Sequence, residues 1–326
     1  MSRRPSAARS CAPVIGFALA LAAPHAWADG GDDGLPELPA PAVRNLPDRA
    51  PLWSSIDPVL QRGLENSLDQ LGLSRAVRAN NLAVSLVDIT EINHPRVAAV
   101  NGDYMMYAAS LPKIAVLLGA FERIAEGSMV LDADTEASLT RMIRVSSDED
   151  AAAMMQRVGK PFIAGVLQDP RYRLYDPKHN GGLWAGKDYA QAGLWRRDPL
   201  HDLSHGATAI QVARFYYLLE TGNLVSPEAS RKMKEILSKP GIEHKFVAGL
   251  ASVAPEAQIF RKSGTWAQWH SDSAIVEHDG RKYIAVALAE DPAGGIWMRE
   301  IIVALDHLIL ESKGMRVASS QRSGGS

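Results

Sequence analysis

The sequence predicts a mixed α/β (α+β) fold in which the two ends of the chain share a β-sheet and the middle forms a separate helical lobe. Strand patterns come early, at 82–87 and 96–100, and late, at 258–263, 272–277 and 281–288. Helical patterns dominate between them, and an amphipathic helix closes the chain. Because such layers bury a core between them, this order predicts a cleft between sheet and helical lobe.

Apolar spacing and capping residues predict the helices. An opening helix follows the cap Asp57-Pro58 and carries leucines at close to helical spacing. A Gly280 turn joins the last two strands. The other predicted helices span 111–125, 139–145, 150–158, 208–220, 226–237 and the region of 301–309.

Composition narrows the functional classes. The 326 residues are 46% hydrophobic and carry a net charge of −2, so the chain can bury a large core. It has no Lys/Arg run that follows a phosphate backbone, which argues against nucleic-acid binding.

The N-terminus has the pattern of a secretory signal peptide. Arg3 and Arg4 precede an apolar stretch, and Ala26-Trp27-Ala28 has the form of a signal-peptidase site. We therefore expect residues 1–28 to be removed by cleavage near Ala28, giving a periplasmic or secreted protein with no membrane segment. Cys11, the single cysteine, falls in this segment, so the mature chain forms no disulfide.

Ser110 and Lys113 are the first candidate catalytic residues, at the start of a predicted buried helix. A separation of three residues on a helix places both side chains on one face, so the lysine can touch the hydroxyl. A lysine that is desolvated there can lose its proton and activate the serine. Backbone N–H groups at the helix terminus favour the negative charge that develops in acyl transfer.

A second candidate group lies at the end of a late strand. A lysine and a hydroxyl there can hold a substrate carboxylate, and a glycine allows another backbone to approach closely. The alternative is an ordinary strand end with a glycine turn. The residues are Lys262, Ser263, Gly264 and Thr265.

The third candidate group precedes an alanine-rich helix. Ser146 can pass a proton to a leaving nitrogen, and Asp148 can orient substrate. A register one residue later uses Ser147 and Glu149 instead. An acid at this place is also consistent with a simple helix cap.

In this order, the three motifs resemble those of class A β-lactamases and penicillin-binding proteins, from about Ile56 to Leu310. The resemblance implies a five-stranded antiparallel sheet flanked by terminal helices, beside an all-helical lobe. It implies that Ser110 is acylated, Lys113 is its base and Ser146 relays a proton. Lys262 and Ser263 then grip a carboxylate, and the N–H groups of Ser110 and Thr265 form an oxyanion hole.

The expected domain organisation follows from this resemblance. Residues 29–50 form a flexible linker, and 314–326 form a disordered tail. The catalytic domain spans 51–313. Its α/β lobe comprises 51–107 and 254–313, and its helical lobe comprises 108–253.

Two departures from the family pattern affect function. Asp148 stands where an asparagine is usual, and an ionised acid only accepts hydrogen bonds. The loop glutamate that activates the deacylating water in class A enzymes has no counterpart, because no glutamate occurs between Glu149 and Glu220. Residues that could position a water instead are Asp176, His179 and Asp188.

The sequence therefore predicts a monomeric serine hydrolase without a metal or organic cofactor, acting on a β-lactam. A peptidoglycan D,D-carboxypeptidase-like enzyme and a non-hydrolytic penicillin-binding sensor remain alternatives. A metal pair at His201 and His205 is disfavoured by the loop signals around them. A Ser-His-Asp triad stays open, although no serine has a Gly-x-Ser-x-Gly context.

Overall fold

The computed structural model of the chain describes residues 52–190 and 195–322. The predicted signal peptide and linker lie outside these ranges. The helices are α1 (Pro58–Gln70), α2 (Ser74–Arg78), α3 (Lys113–Ala125), α4 (Ala133–Arg144), α5 (Asp148–Val158), α6 (Lys160–Gln168), α7 (Ala209–Glu220), α8 (Pro227–Leu237), α9 (Phe246–Val253) and α10 (Gly294–Arg322). The strands are β1 (Leu82–Asp88), β2 (Arg96–Val100), β3 (Met106–Tyr107), β4 (Tyr175–Asp176), β5 (Gly181–Gly182), β6 (Trp184–Ala185), β7 (His205–Ala207), β8 (Gln258–Trp266), β9 (Trp269–His278) and β10 (Arg281–Glu290).

Strands from both ends of the chain form one antiparallel sheet in the order β2-β1-β10-β9-β8. This confirms the predicted five-stranded sheet. Alternate residues of β1 and β10 belong to two apolar clusters, one with α1, α9 and α10 and the other with α7. Because both faces are covered, these strands are buried along nearly their whole length.

The helical lobe is organised around α3, which directly follows Ser110. Its first ten residues, from Lys113 to Glu122, are all buried, and it packs against α4, α5 and α6. Even Glu122, near its far end, is buried, accepts a hydrogen bond from Tyr172 and forms an ion pair with Arg171. This enclosure holds the start of α3 in a fixed position beside the sheet.

Residues 169–207 contain short strands that the sequence analysis does not identify. β7 pairs with β3 and β6 in a three-stranded sheet, and β4 pairs with β5. β3 ends at Tyr107, three residues before Ser110. The pairing of β3 with β7 therefore places residues 205–207 close to Ser110.

The final helix α10 packs directly on β9 and β10 and also against α9 and α1. Its bounds, Gly294–Arg322, include most of the segment 314–326 for which the composition predicts disorder. Within the described ranges, no helix combines the length and apolarity that a bilayer span requires.

Candidate active site

Ser110 lies in a tight turn immediately before α3. The turn is closed by hydrogen bonds from Leu111 N to Ala108 O (3.1 Å) and from Lys113 N to Ser110 O (3.2 Å). Ala109 has a left-handed φ of 51°, which is uncommon for a residue with a Cβ atom and marks local strain. Ser110 is half-buried and lines a cleft of about 480 Å³.

Gly264 allows β8 to approach this turn. A Cβ atom at Gly264 would lie 2.4 Å from Ala108 O and 2.6 Å from Ser110 N, closer than atoms can approach. Ser271, on β9, secures the same turn by donating a 2.8 Å hydrogen bond to Ala108 O. The absence of a side chain at position 264 therefore allows the strand that carries Lys262 to contact the turn that carries Ser110.

Lys113 is completely buried, and its ammonium group has three protein acceptors. Nζ donates to Asp148 Oδ1 (2.6 Å), Ser146 O (2.6 Å) and Ser146 Oγ (3.3 Å). Burial lowers the pKa of Lys113, although the hydrogen bond and charge of Asp148 raise it. Among the described residues no hydrogen bond joins Nζ to the Ser110 hydroxyl, so the expected direct contact is replaced by the pairing with Asp148.

Ser146 lies between two lysines. Its Oγ accepts a hydrogen bond of 2.9 Å from Lys262 Nζ in addition to the 3.3 Å contact with Lys113. Ser147 instead caps α5, where its Oγ accepts from Asp150 N at 3.1 Å. The structure thus brings Ser146 and Asp148, rather than Ser147 and Glu149, to the lysines.

Lys262 is also buried, with 1% of its surface exposed. Burial and the charges of Lys113 and Arg261 lower its pKa well below the ordinary value for lysine. Ser263, next on β8, is buried as well, and its carbonyl accepts from Lys262 Nζ at 2.6 Å. Thr265 is exposed and lines the cleft.

A third lysine, Lys245, supports the end of β8. Its Nζ donates to Gly264 O (2.6 Å), Thr265 Oγ1 (2.8 Å) and Ser271 O (3.1 Å). Burial lowers its pKa to about 8. Sequence reasoning does not find this residue, because Lys245 stands alone in a loop and no motif surrounds it.

The opposite wall of the cleft is formed by residues 187–189 and 203–205, in the segment that precedes α7. The Tyr189 ring lies over Lys113, with Nζ 4.6 Å from the ring centroid, and the His205 ring is 4.3 Å from that of Tyr189. Burial is the main cause that lowers the pKa of His205 to about 4. The sequence does not place Tyr189 or His205 beside Ser110. Short irregular strands leave no periodic signal from which such a position can be predicted.

The three loop residues considered as water ligands have different positions. Asp176 Oδ2 pairs with His179 Nδ1 at 2.9 Å, and the centroid of the His179 ring lies 4.2 Å from that of Trp53. Neither Asp176 nor His179 is among the residues that line the cleft. Asp188 does line the cleft and forms an ion pair of 2.8 Å with Lys160.

Aromatic side chains form the mouth of the cleft. Trp266 is 65% exposed, and Trp269 packs edge-on against Tyr107 with ring centroids 5.5 Å apart. Trp195 stacks on Trp184, with ring centroids 6.3 Å apart.

Comparison with known proteins agrees with this architecture. Residues 64–160 and 136–305 match the model of the beta-lactamase enzyme family. The chain belongs to this family. No curated protein matches it.

Solved structures with the same fold include penicillin-binding and β-lactamase proteins. PBP-A is 16% identical, with a TM-score of 0.56 and coverage of 77% of this chain and 95% of that one. A point mutant of PBP-A, solved as an acyl-enzyme with penicillin G, is 16% identical, with a TM-score of 0.59 and coverage of 79% and 97%. A β-lactamase from Sphaerobacter thermophilus is 15% identical, with a TM-score of 0.59 and coverage of 78% and 97%. At such low sequence identity, the structural comparisons establish a shared fold alone.

Proposed function

We propose that this beta-lactamase family member is an exported serine hydrolase that forms an acyl-enzyme at Ser110 and hydrolyses an amide such as a β-lactam. The observation that carries the proposal is Ser146 Oγ, held between Lys113 and Lys262. One lysine belongs to the helix that follows the nucleophile, and the other belongs to the strand that borders the cleft. A hydroxyl between them is well placed to relay a proton.

In the proposed acylation, Lys113 exchanges its ion pair with Asp148 for a contact with the Ser110 hydroxyl. Neutral Lys113 accepts the Ser110 proton as Oγ attacks the carbonyl carbon, and burial favours this neutral form. The N–H groups of Ser110 and Thr265 bind the oxyanion, and the Ser110 N–H has no acceptor among the described residues. As the C–N bond breaks, Ser146 gives its proton to the nitrogen and regains one from Lys113.

The substrate carboxylate is assigned to the end of β8. Lys262, Ser263 and Thr265 supply the cation and hydroxyl groups that such an anion requires. Lys245 holds the strand at this point through Gly264 O and Thr265 Oγ1. The site therefore suits an acyl group whose carboxylate lies beside the bond that is cleaved.

A second candidate is a peptidoglycan D,D-carboxypeptidase-like enzyme or a sensor that keeps the acyl group. The absence of a glutamate between Glu149 and Glu220 favours it, because no carboxylate of that kind is available to activate water. The Tyr189 ring also occupies space beside Lys113. The signal-peptide pattern is consistent with either activity outside the cytoplasm.

Intact-mass analysis with penicillin G and a fluorogenic cephalosporin tests the proposal. We expect a transient adduct on Ser110 together with hydrolysis, and Ser110→Ala should lose the adduct and at least about 10³-fold of the activity. Ser147→Ala is the control, because it removes only a helix cap and costs about 1 kcal/mol of stability. A lasting adduct supports the second candidate, whereas no adduct contradicts both.

A further inference from the structure

Three buried polar atoms on the loop wall of the cleft have no hydrogen-bond partner among the described residues. They are Asp188 Oδ1, Tyr189 Oη and His205 Nδ1, and all three residues line the cleft that contains Ser110. Buried polar atoms in proteins are nearly always paired with protein groups or with ordered water. The loop side of the cleft therefore has hydrogen-bonding groups that a water molecule entering the cleft can satisfy.

The tautomer of His205 follows from its one hydrogen bond. Nε2 lies 3.0 Å from the carbonyl oxygen of Lys187, and a carbonyl only accepts, so Nε2 carries the hydrogen. In the neutral ring, Nδ1 then presents a lone pair. His205 is 3% exposed and lines the cleft, and its Nδ1 is buried without a partner among the described residues.

Electrostatics keep this imidazole neutral. Burial, followed by the charges of Lys187 and Lys113, lowers the pKa of His205, while the Lys187 carbonyl and Asp148 oppose this, and the result is about 4. That value is close to the ordinary pKa of a glutamate. The ring is therefore unprotonated at neutral pH, so Nδ1 can accept a proton.

His205 is tied to the nucleophile through the backbone. Its carbonyl accepts a 3.0 Å hydrogen bond from Ala108 N, two residues before Ser110. Its ring packs on Tyr189, which in turn covers Lys113. His205 and Ser110 therefore line the same cleft and are joined by a short path of backbone and packing contacts.

We propose that His205 Nδ1 is the general base that activates the water for hydrolysis of the Ser110 acyl-enzyme, with Tyr189 packing the ring and its Oη helping to hold the water. This inference rests on the proposed function. The water oxygen bonds to the acyl carbon as its proton passes to Nδ1. When the tetrahedral intermediate collapses, the C–Oγ bond breaks, and the imidazolium returns this proton to Ser110 Oγ. The products are the free acid and the original enzyme.

The test separates acylation from deacylation. The full-length mature protein is acylated with penicillin G, excess reagent is removed, and loss of the adduct is followed by intact mass. We expect His205→Asn to slow deacylation by at least about 100-fold, with acylation within about threefold of wild type. His270→Asn is the matched control, because His270 Nδ1 is also buried without a partner but does not line the cleft.

A pH profile gives a second measurement that needs no variant. The charged groups facing His205 are Lys187, Lys113 and Asp148, and the neighbouring phenols are Tyr107 and Tyr189. Because the base must be unprotonated, deacylation of the wild type should fall as the pH decreases through about 4. This acid limb should disappear in His205→Asn.

The outcomes distinguish this inference from the proposed function. Wild-type deacylation in His205→Asn, an equal loss of both steps, or a wild-type profile without the acid limb overturns the role of His205. A wild-type adduct that never decays also overturns it, but leaves acylation of Ser110 intact. If no adduct forms at all, the proposed function itself fails.

Discussion

On the side of the cleft built by α3, α5 and β8, the buried ammonium groups of Lys113 and Lys262 have protein acceptors at 2.6–3.3 Å. On the side built by the loop around Tyr189 and His205, polar atoms are buried without partners in the described chain. We call these the helix–strand wall and the loop wall. The difference teaches that the protein itself holds the groups assigned to acylation, whereas the groups assigned to deacylation keep unused hydrogen-bonding capacity.

The ion pairs of the two walls differ in the same way. Below the helix–strand wall, Arg261 and Asp272 form a bidentate pair with both distances 2.7 Å and side chains at most 2% exposed. On the loop wall, the Lys160–Asp188 pair has side chains that are 22% and 14% exposed. Only the second pair can be replaced by hydration when one partner is lost.

The largest expected effect is on stability. Asp272→Ala should lower the free energy of unfolding by about 3–5 kcal/mol, because it leaves the Arg261 charge buried without its counter-ion. Asp272 also accepts hydrogen bonds from Phe246 N and Ser273 N, and those two donors lose their acceptor in the variant. Asp188→Ala should cost no more than about 1 kcal/mol. Urea unfolding of the two variants measures the difference, and equal costs would contradict the contrast between the walls.

A smaller effect is expected where the two halves of the helix–strand wall touch. Gly264→Ala should slow acylation by about 100-fold, because the added Cβ displaces β8 from the Ser110 turn, and small displacements of reacting groups are costly. The adduct formation rate measures it. Gly295→Ala is the control, since its nearest neighbour, a His270 side-chain atom, is 3.5 Å from the added Cβ. Similar rates for both variants would show that the close approach is unimportant.

Most of the sheet and the helices α3 and α5 were predictable from the sequence, because each is a regular element with its own periodicity. The strands at 82–87, 96–100 and 281–288 form as predicted, and the helix after Ser110 begins two residues later than its apolar pattern suggests. The motif around Ser146 left two registers open. The backbone resolves them, because Ser146 has a φ of 59° and only Ser147 is turned to cap α5.

The loop wall was not predictable in the same way. Tyr189 and His205 meet through pairing of two- and three-residue strands, which have no measurable periodicity. Lys245 contacts a carbonyl 19 residues later along the chain, and nothing in its local sequence signals this. Of the loop residues chosen by composition, Asp188 lines the cleft, whereas Asp176 and His179 pair with each other.

The smallest expected effect concerns Asp148, the acid that stands where the family pattern has an amide. Asp148 raises the pKa of Lys113 against the effect of burial. Asp148→Asn removes that charge, so the pKa of Lys113 should fall and the neutral amine should persist to lower pH. The acid limb of acylation then moves to lower pH, and the rate on that limb rises by up to about tenfold. Adduct formation measured against pH gives the shift.

Glu149→Gln provides the matched control for this last change. Glu149 lies in the same first turn of α5 and is exposed, but it makes no contact with Lys113. Its replacement should leave the acid limb in place, because a solvated charge is screened from the buried ammonium. An equal shift in both variants would mean that the pKa of Lys113 responds to the total negative charge of the first turn of α5, and not to Asp148 specifically. A shift in neither would mean that Lys113 is not the base whose ionisation sets the limb.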